Sequence, residues 1–210
     1  MAVLGIDIGT GGSRAVIVDD AGRVLASSTQ AHVPFDSPQT GWAEQDPADW
    51  WHAAQVAIRA VLTDGPVTSA DVRAVGLSGQ MHGAVLLDEA GAVVRPAIIW
   101  CDQRTHAQCG RLTDQVGAAR LIELVSNPAL TGFTLPKLLW VREEEPALWD
   151  RVRTVLLPKD YVRWRLTGER ATDVADASGT LLFDVAHRRW SSAMLSEVGL
   201  DAALLPSSHE

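Results

Sequence analysis

Residues 3–29 read VLGIDIGTGGSRAVIVDDAGRVLASST. This stretch holds three short apolar runs, and the segments between them are rich in the glycine and aspartate typical of tight turns. The runs are 3–8, 13–18 and 23–29, and the turns are 9–12 and 19–22. Turns this short connect antiparallel neighbours, whereas parallel strands need a crossover of about a dozen or more residues. The chain is therefore predicted to open with a three-strand meander.

A helix is predicted to follow the meander. Asp46 is expected as its N-cap, and Pro47 occupies the first helical position, where the missing N–H is not needed. From Trp50 to Leu62, apolar residues recur at intervals of three and four, as on one buried helical face. Later segments predict strands at 72–77, 84–87 and 96–100 and helices at 105–117, 136–142 and 159–166. This order predicts an α/β fold with a mixed sheet and a mostly helical C-terminal part, not a doubly wound parallel sheet.

The overall composition is that of a folded protein. Of the 210 residues, 47% are hydrophobic and 21% are charged, and the formal net charge is -8. The acidic balance and the lack of a basic run argue against nucleic-acid binding, because that affinity is built on clustered Lys and Arg. No apolar run is long enough to span a membrane, and the N-terminus lacks the basic region of a signal peptide. We therefore expect a cytoplasmic protein that binds neither nucleic acid nor membrane, with Cys101 and Cys109 as free thiols.

The turn after the first run carries the strongest chemical pattern. Asp7 ends a buried run, and a carboxylate in that position can hold a hydrated Mg²⁺. Glycines such as Gly11 let backbone N–H groups close around a phosphate, Thr10 adds a hydroxyl donor, and Arg14 adds a fixed positive charge. As a bare pattern, Gly-Thr-Gly-Gly is equally an ordinary hairpin turn. The residues alone leave both interpretations open.

The segment Asp7-x-Gly9-Thr10-x-x-x-Arg14 resembles the first phosphate loop of the actin, heat-shock-70 and sugar-kinase superfamily. Further segments, in order over nearly the whole chain, resemble the FGGY carbohydrate kinases of that superfamily. They are Gly41-Trp42-x-Glu44-Gln45-Asp46-Pro47-x-x-Trp50-Trp51, Pro96-Ala97-Ile98-Ile99-Trp100-x-Asp102-x-Arg104, Thr134-x-Pro136-Lys137-Leu138-x-Trp140, Leu156-Leu157-Pro158-Lys159-Asp160-Tyr161, Leu166-Thr167-Gly168-Glu169 and Thr172-Asp173-x-x-Asp176-Ala177-Ser178-Gly179-Thr180. The resemblance implies a ribonuclease H-like (actin-like ATPase) domain, with ATP and Mg²⁺ as cofactors. It also implies Asp7 as the catalytic and metal-binding carboxylate, with Thr10, Gly11 and Arg14 at the nucleotide phosphates.

In that family, the loop after the run 72–77 contacts the sugar. Here the loop contains Met81-His82, a pairing that resembles the branch of the family acting on xylulose, where glycerol kinases have Arg-Glu. A histidine exchanges hydrogen bonds with hydroxyls in either direction, and a methionine offers a soft apolar surface to a carbon face. The implied partner is D-xylulose or a related ketose. Trp100, Asp102 and Arg104 are further candidates for the pocket rim. The alternative role of Trp100 is a core anchor, and that of Asp102 is the N-cap of the next helix.

Kinases of this family are roughly twice as long as this chain and have two actin-like domains. Residues 1–210 are expected to be the N-terminal domain, without the C-terminal ATP-binding domain and without the family's catalytic base, an Asp in a Gly-x-x-Asp-Asn segment. By itself the chain is therefore expected to have little or no kinase activity. Two alternatives remain, a non-catalytic sugar-binding or interaction module and an actin-like assembly protein. Whether the chain forms a homodimer is left open.

Overall fold

The computed structural model describes residues 1–210 as an α/β structure with many short elements. The strands are β1 (Ala2–Ile8), β2 (Gly12–Asp19), β3 (Val24–Ala31), β4 (Glu44–Gln45), β5 (Val72–Gly79), β6 (Val85–Leu87), β7 (Ala97–Ile98), β8 (Thr154–Leu156), β9 (Ala171–Asp173), β10 (Phe183–Asp184), β11 (Arg189–Trp190) and β12 (Ser207–His209). The α-helices are α1 (Pro47–Thr63), α2 (His106–Val116), α3 (Ala118–Val125), α4 (Thr134–Glu144), α5 (Pro146–Trp149), α6 (Pro158–Thr167), α7 (Val174–Ala177) and α8 (Ser192–Val198). Short 3₁₀ turns lie at Ser69–Asp71, Ser178–Thr180 and Ala202–Leu204.

The opening meander is confirmed as three strands of a four-stranded sheet. The strand order is β3-β2-β1-β5, with β2 antiparallel to both β1 and β3. Strand β5 pairs parallel to β1, and the connection that makes this possible contains the long helix α1. The sheet is therefore mixed, as predicted.

The helix predicted after the meander is confirmed as α1. Asp46 caps it, because the Asp46 carboxylate accepts a 2.9 Å hydrogen bond from the N–H of Ala48, and Pro47 is the first helical residue. The apolar side of the helix packs against one face of the sheet. The core between them includes Trp50, Ala54, Ala57 and Val61 of α1 and Leu4, Ile6 and Ile8 of β1. Burial of this stripe is the main reason that the helix and the meander hold together.

The opposite face of the sheet is open. Val3 and Val75, on β1 and β5, are 45% and 49% exposed. Because side chains alternate along a strand, Asp7 shares this face with Val3, whereas its neighbours Ile6 and Ile8 point into the core. The first candidate site residue therefore lies on the open side of the sheet.

The second half of the chain has an apolar core of its own, formed by 21 buried residues of its helices, of β6, β7 and β8 and of the segments that connect these elements. The helices predicted at 105–117, 136–142 and 159–166 are confirmed as α2, α4 and α6, with ends within two residues. The remaining helices and the strands β8–β12 were not predicted, because elements of two to eight residues are too short to display a periodicity. Strand β8 pairs with β6, which ties this half to the first.

Both cysteines are free thiols, as expected. None of the helices combines the length and the hydropathy that crossing a membrane requires.

Candidate functional site

The glycine-rich segment is a tight hairpin between β1 and β2. The N–H of Gly9 donates a 3.0 Å hydrogen bond to the carbonyl of Gly12, which closes the turn. Gly12 must be glycine, since a Cβ there would lie 2.8 Å from the carbonyl oxygen of Gln30. Gly11, at the tip, is exposed, and a Cβ there would meet no atom within 4 Å. The hairpin interpretation is thus correct for the structure, and the turn leaves the space beside Gly11 open.

Three polar side chains meet on the open face of the sheet. In the strand register, Asp7 lies opposite Arg14 on β2 and opposite Ser78 on β5. Together they line a shallow cavity of about 310 Å³. Oδ1 of Asp7 accepts a 2.7 Å hydrogen bond from the Ser78 hydroxyl, and Nε of Arg14 donates a 3.1 Å hydrogen bond to the Ser27 hydroxyl. Oδ2 of Asp7 has no partner in the protein, so this exposed carboxylate fits the way proteins usually bind Mg²⁺, with one or two carboxylates and several waters.

Thr10 links this turn to the loop that follows β5. Its Oγ1 accepts a 2.9 Å hydrogen bond from the indole N–H of Trp100, and its carbonyl accepts a 2.8 Å hydrogen bond from the side chain of Gln45. Gln80, the residue before Met81, donates a 3.0 Å hydrogen bond to Gln45. Trp100 is 48% exposed, so its alternative role as a core anchor is wrong. The structure therefore brings Thr10, Trp100 and the loop at 80–82 together.

His82 is the most constrained residue of this loop. Its φ is 68°, in the left-handed region that residues other than glycine seldom adopt. Nδ1 of the ring lies 2.8 Å from the carbonyl oxygen of Gly179, and the ring stands edge-on to Phe133 with centroids 4.9 Å apart. Burial lowers the pKa of His82, and the nearby charge of Lys137 acts in the same direction. The ring is therefore neutral near pH 7, with a fixed orientation.

Met81 lies beside this ring and is 38% exposed. A Cβ on Gly179 would lie 3.3 Å from Cε of Met81, so both side chains of the pair pack around the same glycine. An exposed thioether next to a fixed imidazole gives the loop one apolar and one polar contact surface.

Lys137 holds the main chain of the loop at 80–82 through a hydrogen bond to the His82 carbonyl. It is fully buried, and Nζ donates to the carbonyls of His82 (3.0 Å), Phe133 (3.2 Å) and Gly132. The hydroxyl of Thr134 donates to the same His82 carbonyl at 3.2 Å. Burial lowers the pKa of Lys137 to about 7. Neither Lys137 nor Gly179 was predicted as a site residue, although both lie in segments that carry the family resemblance.

Neither Asp102 nor Arg104 lies on the pocket rim, which corrects the prediction. Both side chains are buried, and the Asp102 carboxylate makes a two-pronged ion pair with Arg104, at 3.0 Å to Nε and 2.8 Å to Nη2. Oδ2 also accepts a 2.6 Å hydrogen bond from the N–H of Ala43. The N-cap position of α2 belongs to Thr105, so the alternative role is wrong as well. With both oxygens committed to protein groups, Asp102 offers nothing to a ligand.

A second charged cluster surrounds Lys159, which was not predicted as a site. Nζ of Lys159 lies 2.6, 2.8 and 2.9 Å from carboxylate oxygens of Asp160, Asp173 and Asp176. Oδ1 of Asp176 is buried without a hydrogen-bond partner. Burial raises the pKa of Asp176 to about 6, opposed by the Lys159 charge and reinforced by Asp160 and Asp173. The cluster anchors the start of α6 to β9 and α7.

The chain is similar to known carbohydrate kinases over nearly its whole length. Residues 2–210 match the family model described as the FGGY family of carbohydrate kinases, N-terminal domain. Over 207 residues the chain is 44% identical to the xylulose kinase of Klebsiella pneumoniae and 42% identical to that of Escherichia coli (strain K12). Each alignment covers 99% of this chain and 42% of the relative, so the chain spans less than half the length of these curated relatives.

Solved structures agree with the sequence matches. The xyloylose kinase from Brucella ovis superimposes with a TM-score of 0.94 at 38% identity, over 100% of this chain and 43% of that one. The xylulose kinase from Rhodospirillum rubrum gives a TM-score of 0.92 at 29% identity, again over 100% of this chain and 43% of that one. The fold predicted from the resemblance is therefore confirmed.

Proposed function

The chain belongs to the FGGY family of carbohydrate kinases, and we propose that it is the sugar-binding domain of an enzyme that phosphorylates D-xylulose. ATP is the proposed donor and D-xylulose 5-phosphate the product. Three curated relatives at 40–44% identity, all named xylulose kinases, support this choice of sugar. Because the chain spans only 42% of the first two relatives, the complete reaction is proposed for the whole protein and not for these 210 residues alone.

The observation that carries the proposal is the fixed orientation of His82 next to the exposed side chain of Met81. A ketose presents hydroxyls on its edges and a carbon face between them. The imidazole of His82 is held by Gly179 and Phe133 and can meet a hydroxyl, while Met81 can cover the carbon face. Trp100, half exposed and bonded to Thr10, is proposed to form the rim of the same pocket.

The nucleotide phosphates are proposed to bind near the β1–β2 hairpin. Arg14 supplies a positive charge on the open face of the sheet. In the turn, Thr10 supplies a hydroxyl, and the backbone at Gly11 is not covered by any neighbouring side chain. Asp7 is the residue proposed to hold Mg²⁺, through water. Bound there, the metal would neutralise charge on the transferred phosphoryl group.

The contribution of this chain to the reaction is positioning. Phosphoryl transfer requires the sugar hydroxyl and the phosphate to be held in line with little freedom, and a fixed pocket lowers the entropic part of that barrier. The hydrogen bond from Trp100 to Thr10 connects the sugar rim with the phosphate turn, so the two are held by one network. As the resemblance implies, the base that accepts the hydroxyl proton is proposed to be an Asp elsewhere in the whole protein.

Calorimetric titration of this chain with D-xylulose, D-ribulose and glycerol in the absence of ATP tests the proposal. We expect measurable heat with D-xylulose, weaker heat with D-ribulose and none with glycerol. Absence of heat with all three compounds would contradict a sugar-binding role. A phosphorylation assay on the whole protein addresses the alternative of a non-catalytic module, because steady turnover of D-xylulose is incompatible with that alternative.

A further inference from the structure

The carbonyl of Gly179 decides which ring nitrogen of His82 carries the proton. A carbonyl oxygen only accepts hydrogen bonds, so at 2.8 Å its partner Nδ1 must be the protonated nitrogen. The second nitrogen, Nε2, makes no hydrogen bond to a protein atom. It is also not fully buried, so solvent can reach it. In a neutral ring with a proton on Nδ1, Nε2 is an acceptor and cannot donate.

Residue 179 is a glycine because of this ring, not because of its backbone. Its φ lies outside the left-handed region, so an alanine would be free of backbone strain. A Cβ at this position would lie 2.5 Å from Nδ1 of His82, much closer than non-bonded atoms approach each other. The ring can approach the carbonyl only because the side chain at 179 is a hydrogen atom.

The ring of His82 is restricted on one side and at its main chain, so it has limited room to turn away from such a clash. Phe133 stands against it at 4.9 Å, and the His82 carbonyl is held by Lys137 and Thr134. A substitution at Gly179 must therefore either push the imidazole out of its place or break its hydrogen bond. In both cases Nε2 loses its fixed direction.

We propose that Gly179 is a positioning residue that holds His82 as the Nδ1–H tautomer, so that Nε2 accepts a hydrogen bond from a hydroxyl of the sugar. This inference rests on the proposed function and sharpens it. The site selects a hydroxyl that donates, and a carbonyl or ether oxygen in the same place would face an unprotonated nitrogen without gaining a bond. Gly179 therefore contributes to specificity without contacting the sugar through a side chain.

Substitution of Gly179 by alanine tests the positioning role. We expect Gly179→Ala to bind D-xylulose roughly tenfold more weakly, as for the loss of one well-aligned hydrogen bond. Gly110→Ala is the matched control, since Gly110 is exposed on α2 and a Cβ there would meet no atom within 4 Å. Equal affinity of Gly179→Ala and the wild type would overturn the positioning role. If the wild type binds no sugar, the proposed function fails instead.

Two substitutions of His82 itself distinguish the two nitrogens. His82→Asn retains a donor near the position of Nδ1 and tolerates the left-handed backbone, but it has no group in the place of Nε2. His82→Gln reaches the place of Nε2 with an amide oxygen that accepts. We expect His82→Gln to bind D-xylulose at least about threefold more tightly than His82→Asn. The reverse order would contradict the assignment of Nε2 as the sugar-facing atom.

The tautomer is read directly by ¹H–¹⁵N correlation of the imidazole nitrogens of the free protein, with the His82 signals assigned by their loss in His82→Asn. We expect a protonated Nδ1 and an unprotonated Nε2 in the wild type and in Gly110→Ala, and a mixture of tautomers in Gly179→Ala. A proton on Nε2 in the wild type would overturn the inference whatever the sugar titrations give.

Discussion

The indole N–H of Trp100 donates a 2.9 Å hydrogen bond to the side-chain oxygen of Thr10, although ninety residues separate them in the sequence. Thr10 lies in the turn proposed for phosphate, and Trp100 on the rim proposed for the sugar. In the loop at 80–82, Gln80 is tied to the same turn through Gln45. The two halves of the proposed site are therefore connected by a few direct bonds.

Two substitutions of Trp100 should separate the contribution of its aromatic ring to sugar affinity from the contribution of its N–H. Trp100→Phe keeps an aromatic face and loses only the bond to Thr10, so D-xylulose affinity should stay within about twofold of wild type. Trp100→Ala removes the face as well and should weaken binding roughly fivefold. Calorimetry of both variants checks this. Unchanged affinity in Trp100→Ala would exclude Trp100 from the pocket rim.

Loss of the Asp102 charge should affect stability and not ligand binding. In Asp102→Asn, the buried Arg104 retains only Glu44 as an ionic partner, and we expect a loss of about 3 kcal/mol in the free energy of unfolding. Urea denaturation measures this loss. Sugar affinity, measured where the variant is folded, should change by less than about twofold, because both carboxylate oxygens of Asp102 are bonded to protein groups. Weakened binding with unchanged stability would restore Asp102 to the pocket.

Removal of the Lys137 amine should destabilise the protein and loosen the sugar loop. Lys137→Met leaves the carbonyls of His82, Gly132 and Phe133 without their common donor, at a cost of about 2–4 kcal/mol in unfolding free energy. The loop at 80–82 should then exchange its amide hydrogens faster than in the wild type. Urea denaturation with hydrogen exchange by NMR reports both effects. A variant as stable as the wild type would show that the three bonds contribute little.

The raised pKa of Asp176 should make the free energy of unfolding depend on pH. Its pKa is about 6 in the folded protein, raised chiefly by burial, against about 3.8 when unfolded. Between these values the folded state holds more protons, so this group's contribution to stability is complete below about pH 4 and is lost as the pH rises through 6. The excess stability of the wild type over Asp176→Asn should fall by about 2–3 kcal/mol between pH 4 and pH 7. Urea titrations at each pH measure the two free energies of unfolding. A difference between wild type and Asp176→Asn that stays constant from pH 4 to pH 7 would contradict a raised pKa for Asp176.

The elements that the sequence predicts correctly are those with strong local signals. The meander is predicted because its turns are too short for any other connection, and α1 because Asp46, Pro47 and a four-turn apolar stripe agree. The three-residue strand β8 depends on a partner far away in sequence, β6, and has no local signal of its own.

The candidate site was predictable to a similar extent. The residues of the β1–β2 turn and the Met81–His82 pair are predicted from pattern and resemblance, and the structure brings the two segments together through Gln80 and Gln45. The role of Gly179 was not, because it exists only once the chain brings its carbonyl to His82 across 97 residues. Asp102 was misassigned because a polar residue after an apolar run looks the same whether it faces a ligand or, as here, a buried arginine.

An NMR titration of this chain with D-xylulose, without nucleotide, tests whether the sugar binds at the loop at 80–82. We expect the Met81 methyl signal, the His82 ring signals and the Trp100 indole N–H signal to shift together, to saturate, and to fit one dissociation constant. Shifts confined to other residues, or none at any sugar concentration, would contradict binding at this loop.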